Sequence, residues 1–107
     1  MDFKDYQKLS RQTAKYDNAG DNFLYPTLGL VGEAGEVAEK VKRTMRDGYT
    51  KATLQPVLKK ELGDVLWYVA QVATELDLSL EEIAEFNLEK LFSRKERGKL
   101  SGEGDDR

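Results

Sequence analysis

The chain has 107 residues, 39% of them hydrophobic, which suffices for one small domain but leaves little apolar material for a core. Its 17 basic and 20 acidic residues give a net charge of -3, which argues against general binding to a nucleic-acid backbone. Because the chain has no cysteine and no histidine, thiolate zinc sites and Ser-His-Asp triads are excluded, and any metal must be bound by oxygen, as Mg²⁺, Mn²⁺ and Ca²⁺ prefer.

The first half of the chain contains two segments with helical periodicity. The first helix is predicted at about 3–15 and the second at about 27–46, where Asp47 and Gly48 end it. Between them, residues 16–25 combine turn formers with aromatic side chains and are predicted to form a structured loop.

The second half contains two more helices. The third is predicted at about 53–76, with Thr53 as its cap and Pro56 in its first turn, where a missing N–H costs little. The fourth is predicted at about 79–95, because Ser79 to Glu82 form a capping-box pattern.

Four helices, short links and no strand pattern predict an all-α, antiparallel bundle that oligomerises through its long central helices. Residues 1–96 are expected to form one domain, and residues 97–107 a flexible tail that the substrate can order. No apolar run approaches the roughly 18 residues of a membrane helix and no signal-peptide core is present. We therefore expect a soluble, cytoplasmic protein that binds neither membranes nor nucleic-acid polymers.

The second and third helices share one design on a helical wheel at about 100° per residue. On the second, an apolar stripe runs beside Glu33, and Glu36 falls at about 300° from Glu33, on the edge of that stripe. The stripe consists of Ala34, Val37, Ala38, Val41 and Met45. On the third, Glu61 and Asp64 have the same relation to a stripe of Leu62, Val65, Leu66, Val69, Val72, Ala73 and Leu76.

If the two stripes pack against each other, the two acidic pairs converge. Four close carboxylates repel one another unless a cation lies among them, and Mg²⁺ would leave coordination positions for phosphate oxygens and water. A solvated acidic face is the ordinary explanation of a single Glu-x-x-Glu, but two such pairs at the edges of two apolar stripes favour a metal site for phosphoryl chemistry.

The same residues resemble a known family. The pattern Glu33-x-x-Glu36, followed after 24 residues by Glu61-x-x-Asp64, resembles the ExxE…ExxD signature of the all-α NTP pyrophosphatases. The strings GLVGEAGEVAEKVK and KKELGDVLWYVAQVA resemble the MazG-like branch, and the segment around Asn87 to Leu91 with the tail resembles its third block.

This resemblance implies hydrolysis of a nucleoside triphosphate between its α- and β-phosphates, giving the monophosphate and pyrophosphate. It implies Mg²⁺, for which Mn²⁺ can substitute, and homodimers or homotetramers with sites near subunit boundaries. The implied metal ligands are Glu33, Glu36, Glu61 and Asp64, with Glu33 or Glu36 also positioning the attacking water. The implied substrate contacts are Tyr68, Asn87, Lys90, Arg94, Arg97 and Arg107.

Two further features concern packing. Trp67 lies at about 240° on the third helix, away from the apolar stripe, and is interpreted as an interface anchor. The glycines Gly29, Gly32 and Gly35, and Gly63 on the third helix, predict close approach of another helix.

Two alternatives remain open at this stage. The chain could be a phosphoribosyl-ATP pyrophosphohydrolase of the same superfamily, or a non-enzymatic helical adaptor whose acidic residues are merely solvated. The preferred base and sugar are not specified by the sequence, because that choice depends on a few pocket contacts.

Overall fold

Four helices make up the computed structural model, which describes all 107 residues: α1 (Phe3–Arg11), α2 (Leu24–Asp47), α3 (Lys51–Glu75) and α4 (Leu80–Glu96). There is no strand, so the predicted all-α class is confirmed. Helices α2 and α3 form an antiparallel hairpin, and α1 packs on α3 and α4. Helix α4 contacts α1 and α3 but not α2. None of the four helices has the length and apolarity needed to cross a lipid bilayer.

The ends of α1 and α2 follow local capping. Helix α1 begins after Asp2, whose carboxylate accepts the N–H of Asp5. Helix α2 begins at Leu24, three residues before the predicted start, and the side chain of Asn22 accepts the Tyr25 N–H in its first turn. It ends as predicted at Gly48, which has a left-handed φ of 71° and donates its N–H to the carbonyl of Thr44.

Helix α3 begins earlier than predicted, because its cap is Thr50 and not Thr53. The hydroxyl of Thr50 accepts the N–H of Thr53, and the hydroxyl of Thr53 accepts the N–H of Thr50 at 2.8 Å, which completes a reciprocal capping box. Pro56 consequently lies inside the helix rather than in its first turn. At the start of α4, Ser79 accepts the N–H of Glu82 at 3.2 Å, which confirms the cap, but the return hydrogen bond of the predicted capping box is not made.

Most of the predicted apolar stripe of α2 is not covered by α3. Within the stripe Val37 is half-buried, on the side of α2 that also carries Leu30 and Glu33, whereas Val41 and Met45 are 43% and 90% exposed. The two stripes therefore do not pack together along their length, which was the condition stated for convergence of the acidic pairs. The rest of the stripe stays open because α3 packs on the flank of α2 that bears Glu33.

The chain is more extended than a compact domain of its size. Its radius of gyration is 16.6 Å, against about 13 Å for a compact chain of this length. Its accessible surface is 8046 Å², about 2,000 Å² more than a monomeric protein of 12.2 kDa exposes. The buried apolar residues Ala70, Ala73 and Leu80 lie on α3 and α4, and Pro26 in the first turn of α2 is also fully buried.

The residues after α4 fold back on its end. The guanidinium of Arg107 donates to the carbonyls of Lys99, Leu100 and Gly104 at 2.8 to 3.1 Å. The guanidinium of Arg94, which is buried, donates to the carbonyl of Asp105. Arg94 and Arg107, which the resemblance implies as substrate contacts, thus donate hydrogen bonds to backbone carbonyls of the tail.

Candidate metal and nucleotide site

Three carboxylates meet where α2 packs on α3. One oxygen each from Glu33 on α2 and from Glu61 and Asp64 on α3 lie within 4.8 Å of one another. Because residues three apart on a helix are surface neighbours, Glu61 and Asp64 project to the same side of α3. The packing of α2 then adds Glu33 opposite them, so the structure brings together three of the four residues predicted as metal ligands.

Glu36, the fourth predicted ligand, lies one turn further along α2. Its side chain is exposed and its carboxylate is outside the group of three. It is nevertheless close enough for its charge to help raise the pKa of Glu33.

The electrostatics of the cluster favour a bound cation. Burial raises the pKa of Glu33, and so do the charges of Asp64, Glu61 and Glu36 and a hydrogen bond with Glu61. Without a counter-charge, such a group is stabilised by holding a proton. A hard divalent cation would stabilise the same oxygens in their charged form, and an all-oxygen donor set fits Mg²⁺ or Mn²⁺.

Tyr68, predicted to contact the substrate, lies beside this cluster. Its ring is seated directly on the backbone of Gly29, where an added Cβ would come within 2.1 Å of a ring carbon. Burial raises the pKa of Tyr68, as do the neighbouring hydroxyl of Tyr25 and the charges of Glu33 and Asp64. Gly29 is therefore the position at which the predicted close approach to another helix is observed.

The other three glycines predicted to permit close approach do not do so within the chain. A Cβ at Gly32, Gly35 or Gly63 would meet nothing within 4 Å. For these three positions the predicted close approach is not made within a single chain, because their Cα atoms face open space.

A cavity of about 300 Å³ adjoins the carboxylates and is lined by Thr13, Glu33, Asp64, Trp67 and Tyr68. Trp67 is half-buried, and its indole N–H donates to the hydroxyl of Thr13 at 2.8 Å. The side chain predicted to anchor an interface therefore packs against the loop between α1 and α2 and faces the carboxylates.

The predicted substrate contacts on α4 and the tail lie elsewhere in the chain. Lys90, Arg94, Arg97 and Arg107 line a separate cavity of about 330 Å³ between α4 and the tail, and Asn87 is exposed outside it. None of these residues lines the cavity at the carboxylates of their own chain.

A buried polar network beside the site was missed by the sequence reasoning. The Glu75 side chain has no exposed surface and accepts the N–H groups of Gly20 and Asn22, while Arg11 lies 3.4 Å from it. Burial acts to raise the pKa of Glu75, but these amides, Tyr16 and Arg11 lower it overall. Arg11 also donates to Gln71, which is buried.

A signal for this network was present in the sequence. Glu61, Asp64, Tyr68, Gln71 and Glu75 follow one another at intervals of three or four residues, so they form a polar stripe within about 80° on the wheel of α3. Extending the wheel beyond the two motif acids would have placed Gln71 and Glu75 on the same flank as the site.

Helical fold and site together define a class: an all-α protein with a cluster of carboxylates between two antiparallel helices. A family model of the MazG nucleotide pyrophosphohydrolase domain matches residues 24–98, and the chain belongs to this family of pyrophosphohydrolase-type hydrolases. The chain is also similar to the Gene 37 protein of Mycobacterium phage L5, with 49% identity over 109 residues that cover 95% of this chain and 96% of that protein. No solved structure gives a significant match.

Proposed function

We propose that this protein hydrolyses a nucleoside triphosphate, with ribose or deoxyribose, to the monophosphate and pyrophosphate, and thereby controls or cleans the cellular nucleotide pool. The observation that carries the proposal is the meeting of three carboxylates, on two helices, within 4.8 Å. Membership of the MazG family supports the reaction class, and this family is generally dependent on a divalent metal.

The metal proposed is Mg²⁺, for which Mn²⁺ can substitute, held by Glu33, Glu61 and Asp64 with Glu36 at the edge of the group. When bound, it supplies charge neutralisation and a fixed orientation for the phosphate oxygens.

Glu36 is our choice for the residue that activates water. Its carboxylate lies outside the group of three, so it is less committed to a cation than Glu33. In the proposed reaction a water oxygen bonds to the α-phosphorus, the bond from that phosphorus to the α–β bridging oxygen breaks, and pyrophosphate leaves with the electron pair. The proton of the water passes to a carboxylate oxygen of Glu36, or of Glu33 should the latter occupy that position.

We further propose that the working protein is a homodimer or a dimer of dimers. The excess accessible surface of about 2,000 Å² per chain is what an obligate interface would cover. Much of it is apolar and runs along the outer side of α2. The exposed residues there are Leu24, Leu28, Val31, Ala34, Ala38, Val41 and Met45.

A second copy would also account for the predicted contacts on α4. Within one chain these residues, Asn87, Lys90, Arg94, Arg97 and Arg107, lie outside the cavity at the carboxylates. We propose that they contact the triphosphate bound at the carboxylates of a neighbouring subunit, with the tail closing over it.

The test is release of pyrophosphate by the purified protein from a panel of NTPs and dNTPs, with phosphoribosyl-ATP as a further arm, in Mg²⁺ and in chelator. We expect Mg²⁺-dependent release from at least one nucleotide. Asp64→Asn and Glu61→Gln should lower the rate by about a hundredfold or more, as the loss of a metal ligand or its charge does. The matched control is Asp77→Asn, which makes the same change at an exposed position in the turn between α3 and α4. Asp77 has a positive φ, which Asn tolerates.

Two results would overturn the proposal. One is the absence of pyrophosphate from every nucleotide together with no effect of Mg²⁺ on thermal stability, which would favour a non-enzymatic helical adaptor. The other is an Asp64→Asn variant as active as the Asp77→Asn control.

A further inference from the structure

Trp67 is fixed at the edge of the cavity beside the carboxylates. Its indole N–H donates to the hydroxyl oxygen of Thr13 at 2.8 Å, and that hydroxyl donates to the carbonyl of Ser10 at 2.7 Å. Because the nitrogen edge of the indole is bound, the ring has a defined orientation, and part of the side chain lines the same cavity as Glu33 and Asp64.

A second aromatic ring lines the cavity at right angles to the first. The rings of Trp67 and Tyr68 lie 5.0 Å apart with an interplanar angle of 87°. Tyr68 is in turn held by its contact with the Gly29 backbone. The cavity therefore has aromatic walls next to an acidic centre. If that centre holds a divalent cation, the pocket suits a flat aromatic group joined to a phosphate.

The loop that carries Thr13 is held by a buried carboxylate of α3 and by aromatic contacts. The fully buried Glu75 carboxylate accepts the N–H of Gly20 at 2.8 and 2.9 Å and the N–H of Asn22 at 3.2 Å. Tyr16, in the same loop, accepts a hydrogen bond from Arg11 and stacks on Tyr25 with ring centroids 4.8 Å apart. The Glu75 carboxylate therefore holds the second half of the loop, at Gly20 and Asn22, while Thr13 is held at the end of α1 by its hydrogen bonds to the Ser10 carbonyl.

We propose, on the basis of the function proposed above, that the cavity between Thr13, Trp67 and Tyr68 is the nucleobase subsite. The base stacks on the exposed part of Trp67, and the phosphates extend towards Glu33 and Asp64. Glu75 is a positioning residue that acts through the 12–23 loop. The substrate class is then a nucleotide with an aromatic base, and the triphosphate group alone is not sufficient for binding in this subsite.

The fluorescence of the wild-type protein tests this directly, because Trp67 is the only tryptophan of the chain. Each common nucleoside monophosphate is titrated into the Mg²⁺-loaded protein, with inorganic tripolyphosphate titrated in parallel. We expect at least one nucleotide to quench or shift the emission with saturation, and tripolyphosphate to leave it unchanged. An unchanged emission at saturation with the product of a nucleotide that the protein hydrolyses would overturn the inference, and so would an equal response to tripolyphosphate.

Single substitutions distinguish a loss of base stacking from a loss of folding. Trp67→Leu should raise KM by about ten- to a hundredfold, the usual loss for one base–aromatic stack, whereas Trp67→Phe, which keeps a ring, should retain most of the affinity. Glu75→Gln should raise KM more than it lowers kcat, because it displaces the loop beside the nucleobase subsite and not the carboxylates. The control is Phe3→Leu, an exposed aromatic residue at the start of α1.

The outcomes for the subsite and for the reaction are distinguishable. Hydrolysis with a KM that Trp67→Leu does not change refutes the subsite and leaves the proposed function intact. A saturable emission change without hydrolysis supports the subsite and refutes the reaction.

Discussion

Substitution of Gly29 by alanine tests the most crowded contact in the site. The added Cβ would lie 2.1, 2.4 and 2.6 Å from three ring carbons of Tyr68, so the ring must move or α2 must separate from α3. Overpacking of this kind costs about 1–3 kcal/mol, whereas replacing glycine by alanine inside a helix contributes about 1 kcal/mol. We expect a net loss of up to about 2 kcal/mol in the free energy of unfolding.

The matched control is Gly32→Ala, one turn along the same helix, where a Cβ meets nothing within 4 Å. This variant should be more stable than wild type by about 0.5–1 kcal/mol. Both variants are compared by urea denaturation at one fixed chain concentration, because oligomerisation would make stability depend on concentration. The nucleotide KM should rise in Gly29→Ala, since Tyr68 is displaced.

A double-mutant cycle identifies the cause. In a Tyr68→Ala background the ring is gone, so Gly29→Ala should change sign and stabilise the protein. Equal stabilities of Gly29→Ala and Gly32→Ala in the wild-type background, or no coupling with Tyr68→Ala, would refute the contact and the orientation of Tyr68 that depends on it.

Three other predictions concern the metal, the buried carboxylate and the interface. Saturating Mg²⁺ should raise the melting temperature of the wild-type protein, by the equivalent of about 2.7 kcal/mol at a hundredfold excess over Kd. It should leave the melting temperature of Asp64→Asn unchanged, and an equal shift in both proteins would contradict the metal site. The fold lowers the pKa of Glu75 from its ordinary value of 4.5, so on acidification the unfolded state takes up the proton first. The stability that this carboxylate contributes at neutral pH should therefore be lost as the pH falls below about 4.5 and through the folded-state pKa. Glu75→Gln should flatten this acid limb in pH-dependent urea denaturation, and an unchanged limb would contradict the assignment. Val31→Glu should convert the protein to monomers, as measured by light scattering. The control Gln12→Glu adds the same charge at the exposed position that follows α1 and should leave the mass unchanged. A Val31→Glu variant with unchanged mass would place the interface elsewhere.

The local features of this protein were predictable from the sequence. Periodicity and capping residues predicted four helices, the stop at Gly48 and the cap at Ser79, because each depends on residues within one or two turns. The absence of cysteine and histidine restricted any metal to oxygen ligands, and the spacing of Glu61 and Asp64 placed them on one face.

Only the tertiary structure decided which face meets which neighbour. A helical wheel defines the faces of α2 but does not say which of them packs on α3. In the structure α3 packs on the flank that bears Glu33, and most of the apolar stripe is exposed. The orientation of Trp67 depends on Thr13, 54 residues away, and the second half of the loop that follows is held by Glu75. Contacts between residues so far apart in the chain leave no local periodicity, which is why the acidic motif was evident from the sequence and its aromatic surroundings were not.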